Sequence, residues 1–215
     1  MLLLVLLAVC AVLFAGTDVW YFVRVFVLVV TEKRRLNRLK KLGKLKETAA
    51  KNLLNVHSTE SIVLPSDLDF MMHMNNSKYL RECDFGRFRM FYRTGMWGAL
   101  ERRSSSVVAA AITIRYRRSL QLFQRFAIKT RIVHWSSSNL YVEQLIEDAS
   151  SGFVQAVALV KMAFLGASVD DVIGEICDKT VSPPPTDELR QWIEYNRLSS
   201  EKLRRQVGKD GEKKD

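Results

Sequence analysis

LPSDLDFMMHMNNSKYLRECDFGRF, residues 64–88, changes character halfway along. The first half is short and polar-punctuated: Asp67 and Asp69 lie two residues apart, His73 follows four residues after the second, and then comes Asn75-Asn76. The second half opens a helical pattern that continues to Leu100, with Tyr79, Leu80, Cys83, Phe88, Phe91 and Tyr92 recurring near 3.6-residue spacing. An asparagine stands where an N-cap is wanted, and Gly95 and Gly98 close the helix. Gly86 sits in its middle, where it costs roughly 1 kcal/mol relative to alanine, so close packing of this helix against a sheet is expected there. Local chemistry leaves two readings open. Asp67 and Asp69 serve as turn and cap residues, with His73 satisfied in the loop. Alternatively, the window is the mouth of an active site.

Outward from this window, the upstream stretch 46–67 reads as a short helix giving way to a strand that Pro65 ends, and His57 is expected at the surface. Downstream the apolar period changes from helical to two. VVAAAITIRYR, RFAIKTRIVHW, LYVEQLIED and FVQAVALVKMAFLG are successive strand candidates, the last three forming an antiparallel meander with short turns. His134 and Trp135 end a strand and are expected to be structural, since no carboxylate or nucleophile stands at a readable spacing from that histidine. After Ser168 a short helix, a break at SPPPT and a last helix docked through Leu189, Trp192, Ile193 and Leu203 lead into a disordered tail, 208–215. The fold class is therefore α+β, an antiparallel sheet wrapping one long central helix.

The 215 residues are 48% apolar and 26% charged, which accommodates one well-filled domain with appendages. Net charge is +10, and its placement matters more than its size. From Glu32 to Lys51 there are nine Lys or Arg against two Glu, directly after the most apolar part of the chain. A membrane surface is the partner this collar fits, and nucleic acid is not.

Residues 1–30 read as a transmembrane anchor, with Trp20 and Tyr21 near the headgroups and Arg24 snorkelling. Residues 31–55 are the basic juxtamembrane linker. The positive-inside tendency places the remainder in the cytosol, with the endoplasmic reticulum as the expected membrane. A cleaved signal peptide, giving a secreted protein, is the competing reading; no basic residue precedes the apolar run and the small-residue site at Ala15-Gly16 is poor. Asn75-Asn76-Ser77 is formally a glycosylation sequon, usable only outside the cytosol. Cys10, Cys83 and Cys177 form no CxxC pair and lack a histidine cluster, so neither a metal site nor a disulfide framework is expected.

DLDFMMHMNNSKYL, followed about thirty-five residues later by IRYRRSLQLFQRFAIKT, resembles the hot-dog fold of the acyl-CoA thioesterases of the 4-hydroxybenzoyl-CoA thioesterase type. The resemblance covers roughly Val56 to Ser168. It implies a homodimer, no cofactor, and a thioester substrate such as acyl-CoA. It makes Asp69 the catalytic carboxylate and the backbone N–H near Asn76 the oxyanion donor, with His73, Asn75 and Tyr79 as substrate-binding residues. The chemistry is coherent in itself, because a helix N-terminus supplies free N–H groups and favours an ionised carboxylate. This chain departs from the family pattern twice: Met72 stands where glycine is common, and Ser119 replaces a proline. A thioesterase-like hydrolase at a membrane is therefore expected, with a non-catalytic acyl-chain or acyl-CoA binding or scaffolding protein as the alternative.

Overall fold

The computed structural model describes residues 1–3, 5, 9, 12, 18–177 and 180–211, the last five by backbone alone. Its elements in chain order are α1 (Val19–Lys41), α2 (Leu45–Asn52), β1 (His57–Ile62), a 3₁₀ turn (Pro65–Asp67), α3 (Asn76–Thr94), α4 (Met96–Arg102), β2 (Ser106–Tyr116), β3 (Arg125–Trp135), β4 (Asn139–Asp148), β5 (Val154–Leu165), α5 (Val169–Ile176) and α6 (Asp187–Gly211). The strands form one five-stranded sheet in the order β1-β3-β4-β5-β2, every neighbouring pair antiparallel. Central helix and sheet together make the hot-dog fold that the resemblance implied, on the α+β plan that the change of period had indicated.

Helix α3 is the pillar. Asn75 caps it, and Gly95 ends it in the left-handed region at φ 80°. Its first half places Tyr79 and Cys83 against Phe126, Ile128 and Ile146, and its second half places Met90 and Phe91 in a larger cluster with Trp135, Leu140 and Val160. Each such buried side chain contributes roughly 1.5–3 kcal/mol.

Between the two clusters lies Gly86, where a Cβ would stand 2.6 Å from Thr130 Oγ1 and 2.9 Å from Gln144 Nε2. The glycine admits a polar layer between helix and sheet. Gln144 donates to the Cys83 carbonyl at 2.9 Å and to Thr130 Oγ1 at 3.0 Å, and accepts from the buried Arg87 at 2.6 Å. Gly98, expected to help close this helix, lies inside the separate α4 instead.

The N-terminal region differs from the sequence-based picture. The expected boundary between residues 30 and 31 falls inside the continuous helix α1, which packs on α3 through Tyr21, Val25 and Leu28 against Phe85 and Tyr92. Arg24 does not snorkel. It forms a two-pronged ion pair with the buried Glu82, one arm at 2.7 Å, and lies 4.0 Å over the Phe85 ring. Among the described residues no helix is long and apolar enough to cross a membrane, while most of residues 1–17 lie outside the described residues.

Two further expectations change. His57 is buried, its Nε2 3.0 Å from the Asn52 carbonyl, because β1 carries it under α2 rather than to solvent. Leu203 is 60% exposed, and α6 docks through Leu189 and through Trp192 against Tyr141, running helical to Gly211 across the start of the expected disordered tail. His134 and Trp135 are structural as expected. The imidazole stacks on Tyr141 with Nδ1 2.9 Å from the Pro183 carbonyl, and the buried indole donates to Asp170 at 3.2 Å.

Candidate functional site

The segment between β1 and α3 is a small β-hairpin. Asp69 N–H donates to the His73 carbonyl at 3.0 Å and Met72 N–H to the Asp69 carbonyl at 3.0 Å, with Leu68 and Met74 bridged just outside. Phe70, Met71 and Met72 are the three loop residues, and the last has φ 62°. This is the three-residue hairpin whose final position must be left-handed. The requirement explains why glycine would be favoured there, and why methionine carries backbone strain of roughly 1–2 kcal/mol. Space is not the difficulty, because the Met72 side chain is exposed, as are Phe70 and Met71.

Asp69 and His73 face each other across this turn. Asp69 Oδ1 accepts from Met71 N–H at 2.9 Å, and Oδ2 lies 3.4 Å from His73 Nδ1. Both side chains are largely but not wholly covered.

A backbone bond from Asn75 N–H to the Asp67 carbonyl, 2.8 Å, brings the hairpin onto the N-terminus of α3. There the Asn75 side chain accepts from Ser77 N–H at 2.9 Å and from the Ser77 hydroxyl at 2.7 Å, and Lys78 N–H donates to the Asn75 carbonyl at 2.9 Å. Asn76 is the first helical residue, so its N–H has no acceptor within the helix. A free amide at the positive end of a nineteen-residue helix is suited to an anion or a developing oxyanion.

The structure thus brings four of the five residues expected from the sequence, Asp69, His73, Asn75 and Asn76, to one hairpin and the helix end it abuts. Tyr79 lies beneath them instead. Its ring is 2% exposed, and its hydroxyl accepts from Leu120 N–H at 2.9 Å, tying α3 to the segment after β2. The tyrosine at the open side is Tyr116, whose hydroxyl donates to the Asn76 carbonyl at 2.9 Å and whose ring packs edge-on against Tyr79. Its signal was present in YRRSL, the second stretch of the resemblance, but only the structure shows it reaching the helix end. Ser119, the other departure, carries a backbone amide that donates to no acceptor among the described residues, so nothing in the ladder distinguishes serine from proline there.

Cys83, one turn beyond Tyr79, is no nucleophile: burial pushes its thiol up to about 12. Among the described residues no three His, Cys, Asp or Glu side chains are grouped as metal ligands. A family model for the Thioesterase-like superfamily matches residues 63–193. The chain belongs to the thioesterase-like superfamily.

Protein THEM6 of Xenopus laevis is 42% identical over 214 residues, covering 99% of this chain and 98% of its own length. Among solved structures, the probable thioesterase YbaW from Escherichia coli superposes with a TM-score of 0.52 at 22% identity, covering 55% of this chain and 94% of that one. A hypothetical protein, SAV2348, from Staphylococcus aureus, solved in complex with CoA, superposes with a TM-score of 0.51 at 15% identity, covering 61% and 91%. These structural likenesses establish the shared fold. The part of this thioesterase-like chain that they leave unmatched is close to two fifths of it or more.

Proposed function

We propose that this chain hydrolyses an acyl-CoA or a related thioester at a membrane surface. The observation that carries the reading is the union of the Asp69–His73 pair with the unfilled Asn76 amide at one end of the central helix. In this mechanism the Asp69 carboxylate attacks the thioester carbonyl carbon or takes a proton from the attacking water. The carbonyl oxygen, gaining negative charge, accepts from Asn76 N–H, and the C–S bond breaks to release the thiolate; where Asp69 attacks, water then cleaves the resulting acyl-aspartyl anhydride and restores the carboxylate, and in either route the proton given up by the water ends on the thiolate. His73 faces the carboxylate across the turn, its Nδ1 3.4 Å away, and Asn75 fixes the helix end. The staphylococcal protein of the same fold was solved with CoA, in keeping with a CoA thioester as substrate.

Hydrolysis of a panel of acyl-CoA thioesters by the full chain, beside Asp69→Asn, tests this. Turnover in the parent and a loss of about 10²-fold or more in the variant are expected, the scale of removing a principal catalytic group. A second reading, acyl-CoA binding without turnover, is favoured by one feature: the Met71 N–H bond to Asp69 Oδ1 makes the carboxylate an ordinary turn-former. Binding by a parent that shows no hydrolysis would establish that reading in place of the first.

The active form is proposed to be a homodimer. Strand β2 is a sheet edge of eleven residues, largely exposed on both faces, with Val108, Ile112 and Tyr116 each more than a third exposed. An edge this long and apolar calls for a partner strand, and the same strand carries Tyr116 to the site. Ile112→Lys should yield a monomer by sedimentation, with turnover reduced. A parent that sediments as a monomer would reject the dimer.

The membrane part of the proposal rests on the residues ahead of α1, with that helix lying along the surface. Its outward face is apolar over Phe22, Val23, Phe26 and Val27, then basic over Lys33, Arg34, Arg38, Lys40 and Lys41, all exposed. Residues before Asp18 are the ones free to enter a bilayer, because Asp18 and Arg24 are ion-paired to α3. Such a stretch of seventeen residues spans about 25 Å as a helix, at the lower end of what a bilayer core needs. The basic half would then lie along anionic headgroups on the cytosolic side.

A further inference from the structure

We propose that α1 is a positioning element for the candidate site, acting through an ion bridge that runs from Asp18 through Arg81 to Asp67. The inference rests on the reading of the Asp69 hairpin as the catalytic loop.

Arg81 lies on α3 and spans two other parts of the chain. Its NH1 donates to Asp18 Oδ2 at 2.8 Å and its NH2 to Asp67 Oδ1 at 2.6 Å, with Glu82 Oε1 at 3.7 Å. Its buried Nε has no partner, so the guanidinium is oriented by these carboxylates alone. Asp18 is the N-cap of α1 and accepts from Tyr21 N–H at 3.1 Å.

Asp67 is the other end of the bridge, and it holds the hairpin at three points. Its Oδ2 accepts from Leu64 N–H at 2.9 Å, its Oδ1 from Arg81, and its carbonyl from Asn75 N–H at 2.8 Å. It is 2% exposed and paired with Arg81 at 2.6 Å. Two residues further on is Asp69. One guanidinium therefore clamps the start of α1 to the base of the loop that carries Asp69 and His73.

The second clamp runs parallel to the first. Arg24 of α1 pairs with Glu82, next to Arg81 on α3, and donates to Ser61 Oγ of β1 at 3.2 Å. Two arginines thus serve three carboxylates, and α1 supplies one charge of each sign. Withdrawing α1 would leave Glu82 and Asp67 to share Arg81, whose single fork cannot hold both in their present geometry. Displacement of α1, for instance by tension on the apolar residues ahead of it, would relax the hairpin.

Backbone amide exchange and steady-state kinetics on the full chain test the bridge. Asp18→Asn is the mild variant, because asparagine is as good an N-cap as aspartate, while the charge and the acceptor facing Arg81 are lost. Arg81→Gln is the severe one. Arg81→Gln should speed exchange at Leu64 and Asn75 by about tenfold and lower kcat by a similar factor with KM within about twofold, and Asp18→Asn should do so by about threefold.

In the Arg81→Gln background, Asp18→Asn should add nothing, because its effect passes through that arginine. A merely structural role would move thermal stability, non-additively as for any contacting pair, and leave kcat unchanged. Unchanged exchange at Leu64 and Asn75 in Arg81→Gln, or additive effects of the two substitutions, would overturn the proposal. A parent without turnover would instead reject the catalytic reading of Asp69, while the exchange measurements still decide the bridge by themselves.

Discussion

Met72 shows how one residue records both the fold's demand and the chain's departure from it. The three-residue hairpin needs a left-handed residue before His73, and this chain meets that need with a methionine at φ 62°. Met72→Gly should therefore stabilise the protein by about 1 kcal/mol in urea unfolding, since glycine removes the strain and loses only some chain entropy. A destabilisation would show that the exposed thioether has a packing partner in the assembled protein. His57 makes a second residue-scale case. Burial holds its imidazole below the ordinary value of 6.5, with Arg93 and Arg35 pushing the same way and the Asn52 carbonyl opposing. The unfolded chain then takes up this proton before the folded one does, so stability falls as pH drops below about 6.5, with a limiting slope of about 1.4 kcal/mol per pH unit. Comparing unfolding at pH 7.5 and 5.5, His57→Gln should lose less than the parent. Equal losses would mean that other groups set the pH dependence.

At the scale of elements, the strands and the central helix were legible because each carries its own period. Inward positions of β4 alternate through Leu140, Val142, Gln144 and Ile146, and all four are buried. Gly86 was read correctly as a point of close approach, since the penalty of a helical glycine has to be offset by something that a Cβ would block. Helix α1 packs on α3, which was not legible in the sequence for a physical reason. Its hydropathy continues that of the preceding segment, and apolar residues facing α3 cannot be told by composition from apolar residues facing lipid. Only Asp18 and Arg24 marked the change, and their partners Arg81 and Glu82 lie 63 and 58 residues away.

For the whole molecule, the proposed membrane attachment places its boundary at Asp18, where ion pairing to α3 begins. A chain beginning at Thr17 should fold with the parent's thermal midpoint yet fail to float with vesicles containing anionic lipid that retain the full chain. A chain beginning at Leu45 should be destabilised by about 3–5 kcal/mol, the scale of leaving a buried ion unpaired, because Glu82 loses Arg24 while Phe85 and Tyr92 lose their cover. Vesicle retention of the Thr17 chain would assign membrane attachment to α1 itself. A fully stable Leu45 chain would show that the α1 contact contributes nothing.

The amino-acid sequence determined the hot-dog plan, the order of its strands along the chain, the position of the long helix and the window holding Asp69, His73, Asn75 and Asn76. The strands and the helix follow from short-range periodicity, while the hot-dog plan and the site window come from the family resemblance of one compact motif, and such signals need no knowledge of what lies across the fold. Tertiary structure alone decided that Tyr79 is a buried strut while Tyr116 reaches the helix end, that His57 is buried, and that α1 is clamped to the candidate site by Arg24 and Arg81. Those facts depend on which charges and faces meet after the chain has closed on itself. Ion pairs separated by some sixty residues leave no spacing to read.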